Sequence, residues 1–167
     1  MLIVRLRSVD PNWMERMIEA IDATGENDQL RVLTQQMKMH EPNDAIRILK
    51  TVNPVYVTVN GRLWMPENDV QQLIHRLHAN IEHKFRTFLA EELLQYSEAQ
   101  PFIERLERLN RTPIKVAVKK GWIAGHKLLL HIRTDTYSQT LARFALGAGL
   151  GEKTSSIGGG FCILANR

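Results

Sequence analysis

Val70, Leu73, Ile74, Leu77, Ile81, Phe85 and Phe88 recur at intervals of three and four residues. That spacing puts them on one stripe of an α-helix, and so wide an apolar stripe has to be buried against another element. The pattern predicts a long helix from residue 67 to about residue 95. Its neighbours say what it packs on. Just before it, NPVYVTVNGRLWMP carries two β-rich runs around Asn60-Gly61, the strongest short hairpin signal in the chain. After it, residues 113–120 and 126–133 alternate apolar with polar and are expected to pair as a second hairpin around Gly121 and Gly125. Residues 98–110 between them read as a short surface helix, an insertion. Asp135 or Thr136 caps a further helix bearing Tyr137, Leu141, Phe144 and Ala145, and residues 161–165 read as a closing strand.

From residue 54 the order is therefore strand, helix, strand, strand, helix, strand. This is the ferredoxin-like βαββαβ plan of the α+β class, RRM-like in outline. It predicts an antiparallel sheet with both helices on one face and the other face free for a ligand. Upstream, Leu2, Val4 and Leu6 read as a strand. Asp10-Pro11 opens a helix whose apolar face is Trp13, Met14, Met17, Ile18 and Ile21 and which Gly25 ends, and residues 30–39 read as a second strand. Strand, helix, strand is half of the same plan. The expected organisation is a partial ferredoxin-like half domain over residues 1–52 and a complete ferredoxin-like domain over residues 53–167. A chain of 167 residues with 44% apolar content suffices for that much core.

The stretch from Gly147 to Cys162, GAGLGEKTSSIGGGFC, has the composition of a phosphate site. A Walker-type loop is excluded on two counts. Glu152 stands where that motif requires glycine, and its carboxylate would repel phosphate oxygens. The stretch also runs from a helix into a strand, so the helix end beside it is the negative one. One glycine, Gly147 or Gly149, is accounted for as a helix C-cap. Gly158, Gly159 and Gly160 directly before a strand point to close backbone approach, or to exposed N–H groups that hold phosphate without a helix dipole.

Net charge is +4, so the placement of cations matters more than their sum. Period-two geometry in the expected second hairpin collects Lys115, Lys119, Lys127, His131 and Arg133 on one sheet face with no acidic residue among them. Like charges on adjacent strands repel, and an extended phosphate backbone relieves that cost. With only Phe161 and Trp122 to stack on, shape and backbone recognition of a folded RNA fits better than splayed single-stranded bases.

Six histidines raise metal and acid–base chemistry. His75, His78 and His83 share the long helix without a cysteine or carboxylate set to complete a metal site, so no metal and no cofactor are expected. His40, His126 and His131 remain as possible general bases, with no orienting partner visible in sequence. The single cysteine, Cys162, lies in an apolar run and reads as a small buried hydrophobe of a reducing compartment. No apolar run is long enough to span a membrane, and a soluble, cytoplasmic protein is expected.

ARFALGAGLGEKTSSIGGGF closely resembles the C-terminal glycine-rich signature of the CRISPR repeat-RNA endoribonucleases, a family of the RAMP superfamily. VNPVYVTVNGRLWMP with HANIEHKF, and MLIVRLRSVDPNWMERMIEAI, resemble other segments of the same family. The resemblance implies tandem ferredoxin-like domains that hold CRISPR repeat RNA. It implies metal-independent cleavage, in which a ribose 2′-hydroxyl attacks the adjacent phosphate and leaves a 2′,3′-cyclic phosphate. It assigns RNA contact to Gly149, Gly151, Lys153, Thr154, Ser155, Ser156 and Gly158. The family's first strand, helix and second strand, which commonly carry the catalytic histidine, find no counterpart here. Two readings follow: an RNA-binding subunit that does not cut alone, or a nuclease with a relocated histidine, His40 or His131. A subunit that coats RNA is a third. The open edge of a half domain predicts a homodimer or a second polypeptide that completes it.

Overall fold

The computed structural model describes residues 6–24, 44–66, 69–89, 100–119 and 121–165. The chain divides into two units, residues 1–43 and 44–167. In the first, the helix α1 (Pro11–Thr24) begins at the expected signal, with the Asn12 N–H donating to Asp10 Oδ1 at 3.0 Å. The expected strands at residues 2–6 and 30–39 fall almost entirely outside the described residues.

The second unit is built on a four-stranded antiparallel sheet: β1 (Ile48–Thr51), β4 (Ile103–Arg108), β7 (Leu128–Ile132) and β8 (Cys162–Leu164), in the order β4-β7-β1-β8. The helices α2 (Val70–Leu89) and α3 (Thr136–Ala148) connect β1 to β4 and β7 to β8. This is the ferredoxin-like plan, in which each helical crossover skips one strand and the skipped strand pairs antiparallel with both. Leu49, Ile103, Leu128, Leu130, Ile132 and Cys162 turn their side chains to the helices, where Leu73, Leu77, Ile81, Phe85, Leu141 and Phe144 meet them, all buried. On the opposite face lie Lys50, Leu129, His131, Glu107 and Ile163.

Two local signals hold. Asn60 and Gly61 take φ of 52° and 76°, the paired positive values of a type I′ turn, between β2 (Thr58–Val59) and β3 (Arg62–Leu63). Asp135 caps α3 by accepting the Ser138 N–H at 2.8 Å. Three expectations are corrected. The first strand of the sheet is β1 at residues 48–51 rather than the run from residue 54, which supplies the β2–β3 hairpin. Residues 103–108, read as part of a surface helix, form the edge strand β4, because Ile103 and Leu106 pair across to β7. Among the described residues, 113–119 do not pair with 126–133. Instead β5 (Ile114–Val118) pairs with β6 (Gly121–Gly125) as a separate hairpin, while β7 is drawn into the main sheet by its buried Leu128, Leu130 and Ile132.

Gln139 joins the segment just before β1 to the start of α3. Its side chain accepts the Ile46 N–H at 2.7 Å and donates to the carbonyls of Ile46 at 2.9 Å and Arg133 at 2.7 Å, at a buried position. Gln139→Ala is expected to lower stability by about 2–4 kcal/mol, since it strands buried backbone groups without partners. A urea melt with unchanged slope reads the loss, and a change under about 0.5 kcal/mol would mean water replaces the amide.

Candidate nucleic-acid interface

The glycine stretch closes the sheet. Gly149 ends α3, its N–H donating to the Ala145 carbonyl at 2.9 Å, and a short turn of helix, α4 (Thr154–Ile157), ends at Gly158 in left-handed geometry. The inner side of the loop is tied to the segment before β2. Glu152 N–H donates to Tyr56 O and Gly160 N–H to Pro54 O, both at 2.9 Å, and Asn53 Nδ2 donates to Gly158 O at 2.6 Å. Leu150 N–H donates to Gly160 O at 2.9 Å and crosses the loop onto itself. Glu152, the residue that excludes a Walker loop, has its carboxylate turned back on Thr58, accepting from the N–H at 2.8 Å and the hydroxyl at 2.7 Å, with the Arg76 guanidinium 3.8 Å away. It is thereby drawn back onto the domain.

The outward side is different. Lys153, Ser155 and Ser156 are exposed, whereas Gly149 and Gly151 are buried and Thr154 is half-buried. Of the loop residues expected at the site, those three side chains are the ones placed to meet a large anion. Beneath the loop is a residue that sequence reasoning missed. Lys84 reaches up from α2 and its Nζ donates to Gly149 O at 3.1 Å, Gly151 O at 2.9 Å and Thr154 Oγ1 at 3.2 Å. Burial pushes its pKa down to about 8, while Cys162 of β8 acts in the opposite direction. The ammonium therefore sits against the negative C-terminal end of α3, the feature that had argued against an anion there. Its position in a helical repeat gave no signal, because all three partners are at least 65 residues away.

The β5–β6 hairpin adjoins the same segment. Val55 is bridged to His126, and a Cβ on Gly125 would lie 2.3 Å from the Val55 carbonyl, so the hairpin is seated by close backbone contact. The Tyr56 ring lies against both Gly125 and Gly159, which links the base of the hairpin to the loop. Lys115 and Ala117 pair with Ala124 and Trp122, and the alternation puts Lys115, Trp122 and Lys119 on one exposed face, with Trp122 70% exposed. From residue 108 to residue 134 the sequence holds seven lysines and arginines and no acid.

The remaining expected cations are not on that face. Lys127 lies between β6 and β7 with its N–H on Asn110 Oδ1 at 2.7 Å, and Arg133 donates from Nε to Pro101 O at 3.0 Å. His131 stands on the open face of the main sheet, where Glu107 Oε1 is 3.0 Å and an Arg105 nitrogen 2.9 Å from its Nε2. The expected face free of acid is thus corrected: a different strand, β4, lies beside β7 and brings Glu107 to His131. His40 falls outside the described residues.

The long-helix histidines take separate places. His75 and His83 are exposed. His78 is half-buried against Tyr137 and accepts the Phe102 N–H at 3.3 Å; burial holds its pKa below the usual value. Among the described residues no group of three histidines, cysteines or carboxylates is placed to hold a metal ion, and no helix is long and apolar enough to cross a membrane.

Residues 37–163 match the family model described as CRISPR associated protein Cas6, C-terminal. Three solved structures share the fold. One titled "CRISPR associated protein Cas6" superposes with a TM-score of 0.70 at 20% identity, covering 96% of this chain and 66% of that one. A second, "An RAMP protein binding different RNA substrates", has a TM-score of 0.65 at 20% identity and coverages of 96% and 67%. A third, a Cas6-related protein from Pyrococcus furiosus, has a TM-score of 0.68 at 16% identity and coverages of 96% and 66%. The chain thus spans about two thirds of the length of these structures. No curated protein sequence matches it.

Proposed function

The chain belongs to the Cas6 C-terminal family of CRISPR associated proteins, and on that footing we propose that it binds CRISPR repeat RNA through the glycine loop and the β5–β6 hairpin. The observation that carries the reading is the two-sidedness of the loop. Its inner groups are tied to Pro54, Tyr56 and Lys84, while Lys153, Ser155 and Ser156 face outward beside a hairpin bearing Lys115, Lys119 and Trp122. Such a surface offers lysines for phosphates, hydroxyls for ribose or phosphate oxygens, and one indole for a base. Two cationic elements flanking a neutral segment suit a ligand that runs past both, as an RNA stem–loop does. A labelled CRISPR-repeat stem–loop RNA titrated against the purified chain tests the proposal. Salt-dependent binding that prefers the repeat stem supports it, and equal binding of any RNA favours the coating role instead.

A second reading, metal-independent cleavage, has its own observation. The His131 imidazole lies within hydrogen-bond reach of a carboxylate, Glu107, on the open sheet face. An imidazole so oriented is suited to proton transfer with a ribose 2′-hydroxyl or a leaving oxygen. In EDTA, His131→Ala is expected to slow cleavage of the repeat RNA by about 100-fold or more without weakening binding. An unchanged rate would remove His131 from the chemistry, and binding without any cutting by the wild-type chain would leave the protein an RNA-binding subunit. Association with a second copy or another polypeptide beside residues 1–52 belongs to the same proposal, and sedimentation of the chain with and without RNA tests it.

A further inference from the structure

We propose that Lys84 is the positioning residue of the RNA-binding loop, its half-buried ammonium setting the loop's outward groups and adding the positive charge that RNA phosphates meet there. The proposal rests on the RNA-binding reading above and deepens it. All three N–H bonds of the ammonium are directed at the loop, at Gly149 O, Gly151 O and Thr154 Oγ1. One side chain therefore joins the end of α3 to the start of α4. Lys153, Ser155 and Ser156 follow or flank those fixed points by one or two residues. A neutral amine has two N–H donors and a lone pair, so one of the three oxygens would face the lone pair and the α3 terminus would lose its counter-charge.

The charge is held against a cost. Burial lowers the pKa to about 8 from 10.5. Because the unfolded chain binds more protons between those two values, this group makes the fold more stable as pH rises from about 8 to about 10.5. A purely structural lysine would thus leave the protein better off at alkaline pH. RNA binding runs the other way, since phosphates favour the charged form. The two opposed pH trends separate a positioning role from a structural one. The titratable group acting on Lys84 from β8 is the Cys162 thiol, which donates to Gly160 O at 3.4 Å; the loop itself presents carbonyls and a hydroxyl.

The experiment measures affinity for a labelled stem–loop RNA at constant salt from about pH 7 to about pH 9.5, below the ordinary lysine range. The wild type is expected to lose roughly fivefold, the contribution of one positive charge held beneath the loop that phosphates approach. Lys84→Arg, which stays charged, flattens the profile near its neutral-pH affinity, and Lys84→Met flattens it at the alkaline affinity. Cys162→Ala keeps the wild-type fall. A fall of the same size in Lys84→Arg, or no fall in wild type and Cys162→Ala, overturns the proposal; the wild-type profile decides it should the position-84 variants fail to fold. If the RNA does not bind at all, the functional reading fails separately, and amide exchange decides the positional claim. Beyond the intrinsic pH dependence, exchange of the loop amides should change between about pH 7 and about pH 9.5 in wild type but not in Lys84→Arg, and equal behaviour of the two overturns it.

Discussion

Replacing Lys115, Lys119 and Lys153 together by alanine is expected to weaken RNA binding by about 50- to 200-fold near 0.15 M salt. Each phosphate contact contributes a slope of about 0.7–0.9 in log affinity against log salt, so three lost contacts lower the slope by about 2–3 and the affinity by about two orders of magnitude. All three side chains are exposed and none takes part in a described ion pair, so the fold should be untouched. Lys153→Ala alone should remove about one unit of slope. The comparison variant is Arg133→Ala, which loses a cation engaged with the Pro101 carbonyl and should change the slope little. If the triple variant keeps both affinity and slope, the hairpin and the loop are not where RNA lies.

Gly160→Ala is expected to be the most damaging single substitution in the loop. A Cβ there would lie 1.8 Å from the Leu150 carbonyl oxygen, and φ is 66°. The same glycine donates to Pro54 and accepts from Leu150, so the backbone cannot withdraw without breaking the closure. Left-handed backbone costs a non-glycine residue roughly 1–2 kcal/mol and overpacking a further 1–3, which together make a large part of an ordinary domain's stability. Gly158→Ala is the control. It has the same positive φ, 65°, but its nearest neighbour would be 3.5 Å away, so only the conformational cost of about 1–2 kcal/mol applies. Urea melts of the two variants measure the difference. Equal stabilities would mean that the loop does not cross itself at Leu150 and Gly160.

How far the sequence could be read depended on the range of the forces involved. The α2 stripe from Leu73 to Phe85, the Asn60-Gly61 turn and the Asp135 cap are fixed by residues within a few positions of each other and are legible, whereas Val70 and Phe88 at the ends of the stripe are exposed rather than buried. β4 was not. IERLER has Ile103 and Leu106 three apart with charges between, which reads locally as helix, and only pairing with β7 makes it a strand. GWIAG, bounded by two glycines, reads locally as a turn. In the fold Gly125 is bare because the Val55 carbonyl needs the space, and the chain between the glycines is the strand β6. That error moved Lys127, His131 and Arg133 onto a face shared with Lys115 and Lys119. The glycine loop is legible as a place of close backbone approach, and the structure turns the Glu152 carboxylate back on Thr58. Lys84 was illegible, since a lysine in an amphipathic helix looks solvated until its distant carbonyl partners are known.

Ultraviolet cross-linking of the wild-type chain to a CRISPR-repeat stem–loop RNA, mapped by mass spectrometry, decides whether RNA lies on the loop and the hairpin. Adducts are expected at Trp122 and in the peptide spanning residues 149–161. Adducts confined to the outer face of α2, around the exposed His75 and His83, with none in the hairpin or the loop, would contradict it.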